Sequence, residues 1–298
     1  MNGKVFLIGI LIVIACWIGN IVYYVNQQLD KPIFFEHYYD IVQSDHTDVT
    51  LYYVTNKHNP TMINSIEVNG INFTPTSYFP HNESHNQPEQ QFQHHTIMKV
   101  MIHIPKAIFD NQKNEEGIWA FSEAKVFPEI GDPFTVNVGN IVVIEEISLH
   151  DDLYETKTFL GERWESQFIA KESMKITNIV SAKNGLEKDL YIALGSNDID
   201  FEGTHNEPNW FSHELKEKWE HIDRTPFHDN LLPLELSEED RFTMYAQLNP
   251  NKKVFVRKYF RISGISASGR PFHSYIHFDP VRPEFTDQEL KRLIREES

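Results

Sequence analysis

Between Val5 and Val25 the only clearly polar side chain is Asn20. At ~1.5 Å of rise per residue this stretch forms a helix of ~31 Å, close to the thickness of a bilayer's hydrocarbon core, and a helix satisfies its own backbone polar groups without water. The pattern predicts one membrane-spanning helix, with Tyr23 and Tyr24 where aromatic residues collect at a membrane interface. No second apolar run approaches the ~18 residues that a crossing needs.

Beyond Pro32 the apolar positions alternate with polar ones. Val49, Leu51 and Tyr53 stand against Thr50 and Thr55; Met98, Val100, Ile102 and Ile104 stand against Lys99 and His103. Period two is the mark of a half-buried strand. Further strands are predicted over Ile118 to Val126, Phe134 to Ile147, Met174 to Ser181, Leu190 to Leu194, Arg241 to Leu248 and Val254 to Ile265, where β-branched and aromatic residues concentrate. Asn69-Gly70 and Asn184-Gly185 each follow and precede a strand-like run, as a two-residue hairpin requires. The expected fold is therefore mainly β: an N-terminal transmembrane helix, then antiparallel β-sandwich structure, then a short C-terminal helix. Two immunoglobulin-like sandwiches are predicted, over 33–150 and 151–283, after an anchor and linker over 1–32 and before a helix within 284–298. One extended sandwich is the alternative.

Helical periodicity is sparse. Ser212 caps a predicted helix to Ile222 with Leu215, Trp219 and Ile222 on one side. At the C-terminus Thr286 and Glu289 form a capping box, Phe285 and Leu290 a hydrophobic staple, and Leu290, Leu293 and Ile294 an apolar face. The segment from Tyr78 to His95 is rich in Pro, Gln, Asn and His and reads as a long exposed loop.

The flanking charges are few: Lys4 and the α-amino group before the helix, Asp30 and Lys31 after it. The positive-inside rule then places the N-terminus in the cytoplasm and the body outside a cell membrane as a single-pass protein. Two processing routes compete. Cys16 follows Val13-Ile14-Ala15, a loose form of the signal for lipid attachment at a bacterial cysteine, although Trp17 to Val25 stays apolar where such proteins turn polar. A cleaved secretory signal is the other, disfavoured by the length of the apolar run. Either keeps the body outside the cytoplasm.

Cys16 is the only cysteine, so the exterior part contains no disulfide and holds together by burial alone. This suits an exported bacterial protein in a Gram-positive cell-surface context, where export does not depend on oxidative folding. The net charge is −16, and every Asp and Glu follows the helix. Such a field repels nucleic acid and anionic lipid on average, which disfavours generic nucleic-acid binding.

Candidate chemistry is thin. His81, His85, His94 and His95 fall in one loop with Glu83 and Glu89, and imidazoles with carboxylates suit zinc, copper or nickel. They lack a ligand spacing on a rigid element. His213-Glu214-Leu215-Lys216-Glu217 approaches a zinc-protease pattern but has Glu217 in place of the second histidine; His213, Glu217 and His221 also make the polar stripe that a helix packed by its other face needs. Asp198, Asp200 and Glu202 before Gly203 echo the start of a calcium loop, without the closing glutamate, since Asn209 stands there. Calcium or zinc is thus the cofactor that these patterns would most readily take, and the leading expectation is none. No nucleophile elbow, P-loop or dinucleotide fingerprint is present. Trp164, Trp210 and Trp219 with Phe211 and Phe227 would suit a sugar platform, but aromatic residues in this number more often build a core.

One stretch departs from the acidic background. From Arg241 to Phe278 there is no Asp or Glu, while Arg241, Lys252, Lys253, Arg257, Lys258, Arg261 and Arg270 are basic. On a strand, Phe255, Arg257, Tyr259 and Arg261 share a face, and guanidinium groups beside rings suit phosphate or carboxylate. Arg257, Arg261, Lys253, Lys258 and Arg270 are therefore the candidate contacts for an anionic partner, with neutralisation by acidic strands such as Glu145-Glu146 as the alternative. The sequence points to a non-catalytic binding or scaffolding protein that meets an envelope protein or anionic envelope polymer. A metal-dependent envelope hydrolase using the His-rich loop or the His213 helix is the competing reading.

Overall fold

The computed structural model describes residues 3–45, 47–75, 88–146, 153–160, 163–181, 185–186, 188–195 and 232–297. The first half contains α1 (Gly3–Val25), β1 (Ile33–Phe34), β2 (His37–Val42), β3 (Thr47–Asn56), β4 (Ile63–Val68), β5 (Ile71–Phe73), β6 (Gln90–Gln91), β7 (His95–Ile104), α2 (Lys106–Gln112), β8 (Ile118–Pro128) and β9 (Phe134–Ile144). The second contains β10 (Leu153–Leu160), β11 (Arg163–Ala170), β12 (Met174–Ser181), β13 (Leu190–Gly195), β14 (Leu234–Leu236), β15 (Arg241–Leu248), β16 (Phe255–Ser266), β17 (Pro271–Val281) and α3 (Asp287–Glu297). The chain is mainly β with an apolar N-terminal helix and a short C-terminal one, as the periodicity predicts.

Three sheets carry two cores. A nine-stranded sheet runs β14-β12-β16-β2-β9-β8-β4-β5, with β17 on the other edge of β16; four-stranded sheets run β1-β3-β7-β6 and β10-β11-β15-β13. One core gathers residues of β3, β7, β8 and β9, and the other gathers residues of β11, β15, β16 and β17. Tyr39, Ile41 and Phe255 belong to the first core, whereas Val256, Phe260 and Ile262 belong to the second, with Tyr38 packed against it. Successive side chains point to opposite faces of a strand, so the two cores lie on opposite faces of one continuous sheet.

Joining the cores this way requires a departure from the antiparallel expectation. β2 pairs parallel with both β16 and β9, through Val256 and Tyr38 on one side and Tyr38 and Asn140 on the other. The sequence reading passes over β2 because its burial is nearly continuous, leaving no alternation to detect. Its residues His37, Tyr39, Asp40 and Ile41 are all buried.

Local rules account for the turns that were expected. Asn69 and Gly70 adopt φ of 50° and 80° between β4 and β5, the left-handed pair of a tight hairpin. The second Asn-Gly pair does not make a hairpin. Asn184 lies outside the described residues, Gly185 has a φ of 86°, and the flanking strands β12 and β13 pair in different sheets. The connection crosses between layers, and Leu186 beside it is buried in the second core.

At the C-terminus the capping box forms as expected. The Thr286 backbone N–H donates to Glu289 Oε2 at 2.8 Å, and the Glu289 N–H donates to Thr286 Oγ1 at 3.3 Å. These bonds hold the Glu289 carboxyl below the usual range. Phe285 and Leu290 are buried in the first core, so α3 returns across the chain to cover the half that precedes it. The predicted helix from Ser212 to Ile222 lies outside the described residues.

His37 ties the two layers of the first half. Its Nδ1 bonds the Val138 carbonyl of β9 at 3.0 Å, and its Nε2 accepts the Tyr52 N–H of β3 at 2.8 Å. That pattern needs the neutral ring protonated on Nδ1, and burial lowers its pKa to about 3. The unfolded ring binds a proton below a pH of about 6.5 while the folded ring does not. Stability is therefore complete above that pH and declines as pH falls toward 3. The expected slope from this group is on the order of 1 kcal/mol per pH unit. Melting curves of His37→Gln against the native chain between those pH values should show the variant less stable at neutral pH and less pH-dependent.

Candidate functional site

β16 presents Arg257, Tyr259, Arg261 and Ser263 as half-exposed residues on the face turned away from the second core. Four residues of strand rise separate the two arginine Cα atoms by ~13 Å. On the neighbouring strand Tyr259 is opposite His277 and Arg261 is opposite Tyr275. The Tyr259 and His277 rings stack with centroids 5.2 Å apart. Arg257 Nη2 donates to the Tyr259 hydroxyl at 3.4 Å, and its guanidinium carbon lies 5.8 Å from that ring's centroid.

The Nε atoms of both arginines are shielded, and neither finds a hydrogen-bond partner among the described residues. Among the described residues neither arginine has a carboxylate within 4.0 Å. A shielded, unpaired donor costs ~1–3 kcal/mol, and what each arginine offers a bound molecule is the exposed part of its half-exposed side chain. Tyr39, buried next to Arg257 across the parallel ladder, has its hydroxyl pKa pushed well above the usual value by burial; Tyr52 adds to the rise, and Arg282 and Arg257 oppose it. Arg282 is a further cation of this face, 6.0 Å from the Tyr52 ring centroid and 3.8 Å from Glu89. It follows Asp279 in sequence, outside the acid-free stretch, and only strand pairing brings it near Arg257.

Beside Arg261 opens a cleft of about 460 Å³, lined by Tyr259, Arg261 and Tyr275 from β16 and β17 and by Glu115, Glu116 and Glu145 from the first half. It exists because β2 and β12 occupy the same edge of β16, β2 along its first residues and β12 along the remainder. Glu145 is engaged by Lys113 rather than by an arginine. Glu145 thus shares the cleft with Arg261 without an ion pair of 4.0 Å or less to it.

The remaining cations of the predicted set scatter. Lys258 points to the opposite face, where Nζ stands 2.8 Å from Asp40 Oδ2 and both side chains are buried. It is withdrawn from any surface, because residues of even number on β16 face inward. The contact is an ion pair by distance but is not aligned as a hydrogen bond. Lys253 Nζ donates to the Glu284 carbonyl at 3.1 Å and lies 3.6 Å from Glu289. Arg270 Nε donates to Ser268 Oγ at 2.8 Å in the β16–β17 turn.

His94 and His95 serve a different place. His95 is buried, its Nε2 bonds the Gln27 carbonyl at 2.8 Å, and burial lowers its pKa. His94 packs edge-on against Tyr23, with centroids 5.7 Å apart. Both rings meet the end of α1. His81 and His85, the His213 helix, Asp198 to Glu202, Trp210 and Trp219 lie outside the described residues. Trp164 is a core residue, its ring tilted against Phe278 with centroids 5.3 Å apart. Among the described residues no group of three or more His, Cys, Asp or Glu is placed to hold a metal ion. Cys16 is exposed on α1, which continues past it to Val25.

The sequence matches no protein-family model and no curated protein. Among solved structures, the collagen adhesin from S. aureus aligns over 81% of this chain and 90% of its own, at 9% identity and a TM-score of 0.21. A putative membrane anchored protein from Corynebacterium diphtheriae aligns over 86% and 60%, at 9% identity and a TM-score of 0.24. The collagen binding domain of Erysipelothrix rhusiopathiae surface protein RspB aligns over 82% and 93%, at 7% identity and a TM-score of 0.20. Scores this low establish no common fold.

Proposed function

We propose that this chain is a membrane-tethered extracytoplasmic protein of binding or scaffolding type, and that its partner-contacting surface is the Arg257–Arg261 face with the adjoining cleft. The stretch Leu7–Val25 is long and apolar enough to cross a membrane, and none of it is buried against the body. Trp17, for example, is 68% exposed. Such an unpartnered apolar surface is accounted for by lipid.

The observation that carries the binding reading is the pair of half-exposed arginines with no carboxylate within 4.0 Å among the described residues, on a face whose rings are already stacked. Two such groups ~13 Å apart suit successive phosphates or carboxylates of an envelope polymer, or an acidic patch on another envelope protein. Because the arginines are half-exposed, salt should weaken the interaction over a screening length of ~8 Å at physiological ionic strength.

Replacing both arginines, Arg257→Gln with Arg261→Gln, is the direct test. Polyphosphate and polyglutamate serve as phosphate and carboxylate probes in titrations at low and high salt. Loss of charged hydrogen bonds worth ~1.5–3 kcal/mol predicts affinity at least about tenfold weaker, a shallower salt dependence and an unchanged melting temperature. A double variant that melts lower yet binds both probes as before would make the strip structural.

A further inference from the structure

A second cationic site lies where α1 meets the body. Residues Asn26 to Lys31 follow directly on the last apolar residue of the helix, and with Ile33, His95, Lys291, Ile294 and Arg295 they line a notch of about 430 Å³. Lys291, Ile294 and Arg295 are spaced i, i+3, i+4, so they share one side of α3. Three cations, Lys31, Lys291 and Arg295, therefore surround the notch against one acid, Asp30. Among the described residues none of the three has a carboxylate within 4.0 Å. Arg292, by contrast, turns outward toward Glu296 at 4.0 Å.

Both walls of the notch are fixed to the same core. The Asn56 amide accepts from the Leu29 N–H and donates to the Leu29 carbonyl, each at 2.8 Å. His95 holds Gln27, and Tyr24 packs near His58 with centroids 6.3 Å apart. Opposite them, Leu290 is buried in the first core and Leu293 and Ile294 pack against it. The notch is thus formed before anything enters it, so little ordering cost opposes binding.

We propose that this notch binds the phosphate of an anionic phospholipid headgroup, and so fixes the posture of the body on the membrane; this rests on the reading of α1 as a retained membrane span. The layer between hydrocarbon and water is ~5–8 Å deep on each side, from a total of ~40–45 Å against ~30 Å of hydrocarbon. Residues that directly follow Val25 lie in that layer. Arg295 offers a planar fork for phosphate oxygens and the lysines offer point charges. The Asn26, Gln27 and Gln28 amides suit the hydroxyl groups of a glycerol headgroup.

The test uses the full chain in nanodiscs of phosphatidylcholine with phosphatidylglycerol as a minor component, followed by gentle detergent release and native mass spectrometry. The native chain should retain phosphatidylglycerol in preference to phosphatidylcholine, and inorganic phosphate should not displace it. Lys291→Gln with Arg295→Gln should abolish the preference, while Arg292→Gln, outside the notch, keeps it. Arg295→Lys should keep part of it, which separates loss of charge from loss of fold. Equal loss in Arg292→Gln and in the double variant would reduce the effect to general attraction and overturn the site, as would displacement by inorganic phosphate. Release of the chain from membranes by alkaline carbonate overturns the anchor and the site together. Retention in membranes without the lipid preference overturns the site alone.

Discussion

Lys258→Met is expected to lower the melting temperature by about 10 °C. Removing one member of a buried pair strands the other charge in a low-dielectric site, at a cost of ~3–5 kcal/mol, and a chain of this size loses ~2–4 °C per kcal/mol. Lys258 and Asp40 are both buried, on β16 and β2, the strands that join the two halves of the long sheet. Methionine retains the apolar stem of the lysine but removes the positive charge 2.8 Å from Asp40 Oδ2. Adding Asp40→Leu should restore most of the loss, because a buried ion pair replaced by apolar groups is often neutral or stabilising. Thermal melts of the two single variants and the double variant close this cycle. A single change that costs under about 1 kcal/mol would show that water reaches Asp40 and that the junction is looser than the pairing implies.

Gly139→Ala should be of similar severity, for a reason of backbone rather than charge. Gly139 has a φ of 89°, and a Cβ there would meet the backbone N and O of His37. The left-handed conformation costs a non-glycine residue ~1–3 kcal/mol. The collision adds to this, since β2 would have to part from β9 at the residue that anchors His37. Gly70→Ala provides the contrast: its φ is 80°, but nothing lies within 4 Å of its Cβ position. Equilibrium unfolding should show Gly139→Ala at least twice as destabilising as Gly70→Ala. Equal losses would mean that β2 shifts to accommodate the methyl group.

These two variants probe a region that the one-dimensional pattern does not mark. Half-buried strands announce themselves by alternation, and β12 and β15 fall where the period predicts, at Met174–Ser181 and Arg241–Leu248. β2 does not, because both of its faces are covered. β16 was legible as a strand, and its alternation correctly put Arg257, Tyr259 and Arg261 on one side and Lys258 on the other. Grouping Lys258 with the arginines as one cationic set treated charge as a property of the segment, whereas a strand divides it between two faces.

The histidines show the same limit. His94 and His95 stand in a polar run that reads as an exposed loop, yet His95 begins β7 and is buried against the end of α1. Neither residue type nor spacing signals this, because the contact joins segments 68 residues apart. Arg282 and the cleft beside Arg261 are equally invisible in sequence, since each depends on which strands become neighbours.

What the sequence determined by itself is what local physics governs: an apolar helix of membrane length at the N-terminus, most of the strands, the Asn69-Gly70 hairpin and the Thr286–Glu289 cap. Each follows from residues within a few positions of one another. Tertiary structure alone decided that β2 pairs parallel with β16 and β9, that two cores share one sheet on opposite faces, and that α3 returns to the first core beside the end of α1. Those outcomes depend on pairing between strands far apart in the chain, where register and partner are chosen by burial on both faces at once.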